Sequence, residues 1–155
     1  MVDSILTTSS HRNLSQIRSW FGSPLGEQLL QTEIAVHDQL LGHMFGYHIL
    51  QVSVQEKSLF ESSPIQNKMS LGLESKDQSA FIAKPTELPF EDDAADVDLE
   101  HHMLDFIESP QETLRELSRV VLPMGYLIVT GFNPFSLWGV RKALQLRTKT
   151  PPWNG

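Results

Sequence analysis

The chain has 155 residues, enough for one domain with a real core. A formal charge of −7 argues against general nucleic-acid binding, which needs a basic surface, and the absence of cysteine excludes disulfides, thiolate metal sites and a cysteine nucleophile. No apolar run approaches the roughly 20 residues of a membrane span, and Met1-Val2-Asp3-Ser4 does not open a secretory signal, so the expected address is cytoplasmic.

In chain order, residues 1–13 are polar and expected outside the core. Leu14, Ile17, Arg18 and Phe21 fit a short helix closed by Gly22. Ser23-Pro24 is a cap-and-proline start. After it Leu25, Leu29, Leu30, Ile34, Leu40, Leu41, Met44 and Phe45 follow one helical stripe up to Gly46. His37, His43 and His48 lie in or near this helix at spacings that do not make a metal pair, so solvated or core roles are expected. Tyr47–Val54 alternates like a strand, and Asn67–Leu73 and Ala80–Ala83 are further strand candidates. Ser75–Ser79 between the last two is too short for a crossover helix.

Residues 88–131 carry the clearest pattern. Ala95–Leu99 is a strand in which Asp96, Asp98 and Glu100 alternate with apolar residues, so one of its faces is expected to be wet. Ser109-Pro110-Gln111-Glu112 has the spacing of a capping box. Leu114, Leu117, Val120 and Val121 then share a helix face, and Pro123 and Gly125 stop the helix. Tyr126–Thr130 is a continuous apolar strand. Strand, helix, strand at this length predicts a βαβ unit with adjacent parallel strands. Asn133-Pro134 opens another helix, with Phe135, Trp138, Leu144 and Leu146 apolar and Arg141, Lys142, Arg147 and Lys149 basic.

His101 and His102 sit at the carboxyl end of the acidic strand, where open α/β sheets bind ligands. They can serve as acid, base or hydrogen-bond donor, or simply end the strand. Metal binding by His101, His102 and Asp105 is disfavoured, because adjacent residues on a strand point to opposite faces. A metal-dependent hydrolase is therefore the weakest reading.

The words Leu88-Pro89-Phe90, Ala95-Asp96-Val97, His101-His102-Met103-Leu104-Asp105, Leu114-Arg115-Glu116 and Arg119-Val120-Val121-Leu122-Pro123-Met124-Gly125 resemble the second half of a class I S-adenosylmethionine (SAM)-dependent methyltransferase domain of the type 11 sort. Gly131-Phe132-Asn133-Pro134 is similar to a bacterial branch of it. The resemblance implies a Rossmann-like, three-layer, mostly parallel α/β sheet with a long N-terminal helix, made of an N-terminal segment (1–22) and the domain proper (23–155). It implies SAM as cofactor, held by Gln51, Glu74, Pro85, Thr86, Glu87 and His101, and a small-molecule acceptor near His102, Asn133 and Trp138. No nucleic-acid or membrane partner follows from it.

This sequence departs from the family in two places. The loop after the first strand, Gln55-Glu56-Lys57-Ser58-Leu59, has no glycine, and Lys84 stands where the family often has an aspartate that accepts from adenine. Weak SAM binding is therefore expected, and a non-catalytic remnant that binds a ligand or a protein is the alternative. The family's later strands have no counterpart before Gly155, so truncation is expected, with self-association through an uncovered edge of Tyr126–Thr130.

Overall fold

The computed structural model describes residues 8–74, 77, 79 and 81–133, with side chains from Leu14 onward. The expected helix from Pro134, with Trp138 and the basic residues, lies outside the described residues.

The chain opens with α1 (Thr8–Phe21) and α2 (Pro24–Leu41). α1 begins earlier than the apolar spacing marked, yet Leu14, Ile17 and Phe21 are the residues it buries. Ser23 caps α2 as expected, its hydroxyl accepting from the Gly26 amide at 3.2 Å. The α1–α2 turn is tight: a Cβ on Gly26 would lie 2.2 Å from the Trp20 carbonyl oxygen, so only glycine fits. α2 ends at Leu41 rather than at Gly46; Gly42 takes the cap, and Met44 and Phe45 lie beyond the helix.

Among the described residues five strands follow: β1 (His48–Ser53), β2 (Asn67–Gly72), β3 (Phe81–Ile82), β4 (Ala95–His101) and β5 (Val121–Thr130). They form one sheet in the order β3-β2-β1-β4-β5, every pair parallel. Helices flank the sheet, as in Rossmann-like folds. β2 and β3 pair over two residues only, Leu71 with Phe81 and Gly72 with Ile82, which is how a connection too short for a crossover helix still joins parallel strands. Among the described residues only the β4-to-β5 connection holds helices, α3 (Met103–Phe106) and α4 (Pro110–Val120). Leu59, Phe60, Ile65 and Leu88, from the other connections, are buried with the strand residues in one core.

The βαβ unit forms as the sequence indicates: β4 and β5 are adjacent and parallel, joined through a helix that starts at Pro110. Three local expectations are corrected. The capping box is absent: Ser109 sits at φ −122°, ψ 67° and its side chain makes no cap bond, while its carbonyl accepts from Thr113. The buried face of α4 is Thr113, Leu117 and Val120, and Leu114 is exposed. Val121 leaves the helix and begins β5, whose register against β4 slips between Ala95 and Val97, with Met124 in the bulge at φ 74°.

The expected wet face of β4 is also corrected. Asp98, Glu100, His101 and His102 are all buried. Among the described residues neither Asp98 oxygen has a partner, and burial, reinforced by the Glu100 charge, drives its carboxyl well above the usual range, which favours its neutral form. Burial likewise raises Glu100 to about 7, against the pull of its backbone donors Leu104 and Met103. Asp96 is used otherwise, accepting from the amides of Tyr47 and His48 at 2.8 and 2.9 Å and fixing the entry to β1.

Candidate functional site

The sheet order places a topological switch between β1 and β4: the chain winds outward from β1 through β2 and β3, then returns to β1's other side for β4 and β5. In open α/β sheets, ligands bind at the carboxyl ends of the strands at such a switch. Here that edge carries Ser53 and Val54 from β1, His101 and His102 from β4 and Thr130 from β5.

His101 is the last residue of β4, and its ring faces α2. His102 adopts the left-handed conformation, φ 55°, as the chain turns into α3. This turn undoes the alternation expected of adjacent strand residues. The two rings therefore lie together, centroids 4.5 Å apart, rather than on opposite faces. Glu33 of α2 meets both: Nε2 of His101 lies 2.9 Å from Oε2, and Nε2 of His102 lies 2.9 Å from Oε1. Each Nδ1 also has a partner, Ser53 Oγ at 3.1 Å for His101 and Asp105 Oδ2 at 3.0 Å for His102. Phe21 and Phe132 wall the pair, with Phe132 4.3 Å from the His102 ring by centroids.

The electrostatics separate the two histidines. Burial depresses both, but His102 donates to two carboxylates, Asp105 and Glu33, and is carried up to about 9. It is an imidazolium at neutral pH. His101, with one carboxylate and a charged neighbour, stays below its ordinary value and is neutral. Its Nε2–H donates to Glu33, so Nδ1 accepts from the Ser53 hydroxyl. Burial would raise Glu33, but the two histidine donors outweigh it and bring its carboxyl to about 2. His37, one helical turn beyond Glu33, is buried with Nε2 2.8 Å from Thr130 Oγ1; burial and the neighbouring His101 depress it.

A second cluster lies across the same edge. Arg18 of α1 reaches over the ends of β1 and β2. Its Nε donates to the Val54 carbonyl at 2.7 Å, one terminal nitrogen to Glu74 at 3.1 Å, and both terminal nitrogens to Asp77 at 2.9 and 3.0 Å. Burial would raise Asp77, but Arg18 and the backbone amides of Glu74 and Leu73 hold it low. The glycine-free loop after β1 is shaped instead by Gln51. Its Nε2 donates to the Lys57 carbonyl at 2.9 Å and its Oε1 accepts from the Leu59 amide at 2.8 Å. In that loop Gln55 Nε2 and Ser58 Oγ are buried with no hydrogen-bond partner among the described residues.

The remaining sequence-expected residues are spread out. Pro85 is buried, Thr86 half-buried and Glu87 exposed, in a turn where the Glu87 amide donates to the Lys84 carbonyl at 2.9 Å. Asn133 is exposed just beyond β5, and Trp138 lies outside the described residues. The structure thus unites His101 with His102 and sets Gln51 and Glu74 at the neighbouring strand ends.

Residues 39–129, more than half of the chain, match the family model described as a methyltransferase domain. The chain belongs to the methyltransferase domain family. The "uncharacterized protein YafS" of Escherichia coli (strain K12) is 32% identical over 112 residues, which cover 72% of this chain and 46% of that protein, so the match spans about half of that relative's length. Among solved structures, a SAM-dependent methyltransferase of Thermotoga maritima aligns over 88% of this chain and 67% of its own, with a TM-score of 0.63 and 16% identity. A proposed SAM-dependent methyltransferase of Methanococcus maripaludis aligns over 99% of this chain and 76% of its own, at a TM-score of 0.54 and 13% identity. At such identities the likeness is one of fold.

Sequence reading of this methyltransferase domain missed Glu33, Arg18, Asp77 and Ser53. For two of them a signal was present. Arg18 lies among Leu14, Ile17 and Phe21 on the buried side of α1, and Glu33 lies beside Ile34, four residues before the buried His37. A charge on an apolar helix face is evidence of a buried partner.

Proposed function

We propose that this domain transfers a methyl group from SAM to a small-molecule acceptor, with the donor seated over the carboxyl ends of β1 and β2 and the acceptor beside β4. The observation that carries the reading is the switch between β1 and β4 in an all-parallel sheet of a methyltransferase family member. The residues at the switch fit the cofactor. Gln55 and Ser58 supply buried polar groups in need of partners, and Glu74 supplies the acid expected of a ribose contact. Gln51 holds the loop that presents them, Pro85, Thr86 and Glu87 would line the adenine side, and His101 would border the cofactor from β4.

SAM, when bound, supplies an electrophilic methyl on a sulfonium. The chain's part is to hold donor and acceptor at attack distance and exclude water. His102 and Asn133 would contact the acceptor, and Trp138 would join them. His101, neutral and hydrogen-bonded through both nitrogens, is the available proton acceptor once Ser53 yields. Glu74 already accepts from Arg18, and the loop after β1 has no glycine while Lys84 replaces an acceptor, so affinity for SAM is expected to be weak.

Calorimetry with SAM and with its demethylated product tests the reading. Binding that weakens on Glu74→Ala is expected. No heat from either ligand at millimolar concentration overturns the proposal and leaves a ligand- or protein-binding remnant in its place.

A further inference from the structure

We propose that Glu33, His101 and His102 form a binding site for a divalent transition-metal ion. One ligand atom from each, an imidazole nitrogen from either histidine and a carboxylate oxygen, lie within 4.8 Å of one another. A tetrahedral zinc site with bonds of ~2.0–2.2 Å holds its ligands a little over 3 Å apart. Small adjustments of the three side chains, the two imidazoles included, would close the set.

Four further features point to an ion rather than to a hydrogen-bonded triad alone. First, both Nε2 atoms converge on one carboxylate while both Nδ1 atoms are held from behind, by Ser53 and by Asp105. A metal-ligating histidine characteristically has its other nitrogen fixed in this way, often by a carboxylate. Second, His102 reaches the cluster only by adopting φ 55°, a conformation a histidine enters at a cost and one not needed merely to end a strand. Third, the ligands sit on rigid elements, Glu33 on the 18-residue α2 and His101 on a strand paired on both sides. Fourth, both histidine side chains are fully buried and Glu33 is 14% exposed, so an ion would enter past Glu33 into a site walled by Phe21 and Phe132.

Two imidazoles and a carboxylate suit Zn²⁺, Co²⁺ or Fe²⁺ and not Mg²⁺ or Ca²⁺, which require oxygen ligands. Three protein ligands leave one position open, as in zinc sites that bind water or a substrate oxygen. The ion would clamp α2 to the carboxyl end of β4. This inference does not depend on the methyl-transfer reading, because it concerns binding of the ion itself.

The test uses the full 155-residue chain, stripped with chelator and titrated with Co²⁺ at pH 8, where the ion must displace the Nε2 protons of both histidines and binding therefore releases protons. One equivalent should produce visible bands of low-coordinate cobalt, discharged by Zn²⁺ and not by Mg²⁺. Glu33→Gln keeps the shape of the side chain but turns one acceptor oxygen into a donor, which a change of histidine tautomer can meet; circular dichroism checks that it folds, and it should bind at least tenfold more weakly. Asp105→Asn, which loosens a positioning residue, should weaken binding by roughly 10–100-fold and shift the band maxima. His43→Gln, at an exposed histidine whose ring bonds the Gln39 carbonyl away from the cluster, should bind as the parent does. Absence of the bands in the parent, or a folded Glu33→Gln with parental affinity, would overturn the proposal. So would equal loss in His43→Gln.

Discussion

Replacing Arg18 by Met keeps the aliphatic stem and removes the guanidinium. The Arg18 side chain is 15% exposed and that of Asp77 1%, so the pair is largely out of water. Among the described residues, Asp77 without Arg18 retains the Leu73 and Glu74 amides, at 2.8 and 3.0 Å, both on Oδ2. Glu74 and the Val54 carbonyl each lose a donor as well. Breaking a buried pair from one side costs about 3–5 kcal/mol. The surviving backbone bonds place Arg18→Met near the lower end, about 3 kcal/mol. For a chain of this size that lowers Tm by roughly 6–12 °C.

The sign of the pH dependence follows from Asp77. Its folded pKa is lowered, so its stabilisation is present above the unfolded value and is lost as pH falls through the folded one. In the variant, burial without Arg18 raises the folded pKa. The stability gap between parent and variant should be widest near pH 7. It should narrow as acid protonates Asp77 in the variant, and stop changing below the parent's pKa. Urea denaturation of both proteins across that range measures it, with Arg18→Met/Asp77→Asn expected to regain most of the loss. A gap under 1 kcal/mol, or one independent of pH, would refute the reasoning.

Asp98→Asn should raise Tm at pH 7: the fold must protonate this carboxyl, so its contribution declines as pH rises above the unfolded value toward the raised folded one, and asparagine removes that decline, for a gain of about 1 kcal/mol. A lower Tm at pH 7 would mean that Asp98 is ionised and partnered. Gly26→Ala should destabilise by about 1–3 kcal/mol in denaturant titration, because its methyl would press on the Trp20 carbonyl oxygen and the Phe21 Cα; an unchanged midpoint would show that the α1–α2 turn yields easily. Among the described residues β5 pairs on one side only and exposes Leu122, Met124, Tyr126 and Val129, so self-association is expected to fall in Val129→Lys, as read by light scattering, and parental and variant proteins that are equally monomeric would count against this edge.

The fold was legible where local and long-range signals agreed. Although its helix ends at Val120, and Pro123 and Gly125, expected to stop it, lie within β5, the β4-α4-β5 unit announces itself by an apolar run and a proline start. Ser23-Pro24 marks the start of α2 for the same reason. The site was legible by position and not by geometry. His101 and His102 stand at a strand end in the sequence, but strand alternation sets them apart, and only the left-handed turn at His102 reunites them. No glycine marks that turn, and although histidine enters the left-handed region more often than most residues, it does so too rarely to be read there from sequence. The acids of β4 misled for a related reason. A buried carboxyl and an exposed one are the same letter, and Asp98 is tolerated in the dark by staying protonated. The capping box at Ser109 failed because the backbone there leaves the extended region a cap needs.

The switch between β1 and β4 also bears on how the chain folds. β4, α4 and β5 are contiguous and can associate early at small entropic cost, whereas β1 must find a strand far along the chain, pairing Ile49 with Val97 and Ser53 with His101. That seam is expected to close last and to open first. Native-state hydrogen exchange should then report two cooperative units, with β1 amides less protected than those shared by β4 and β5. A ligand lying across the strand ends would touch both units at once, and would be expected to slow exchange along β1 far from any residue it contacts.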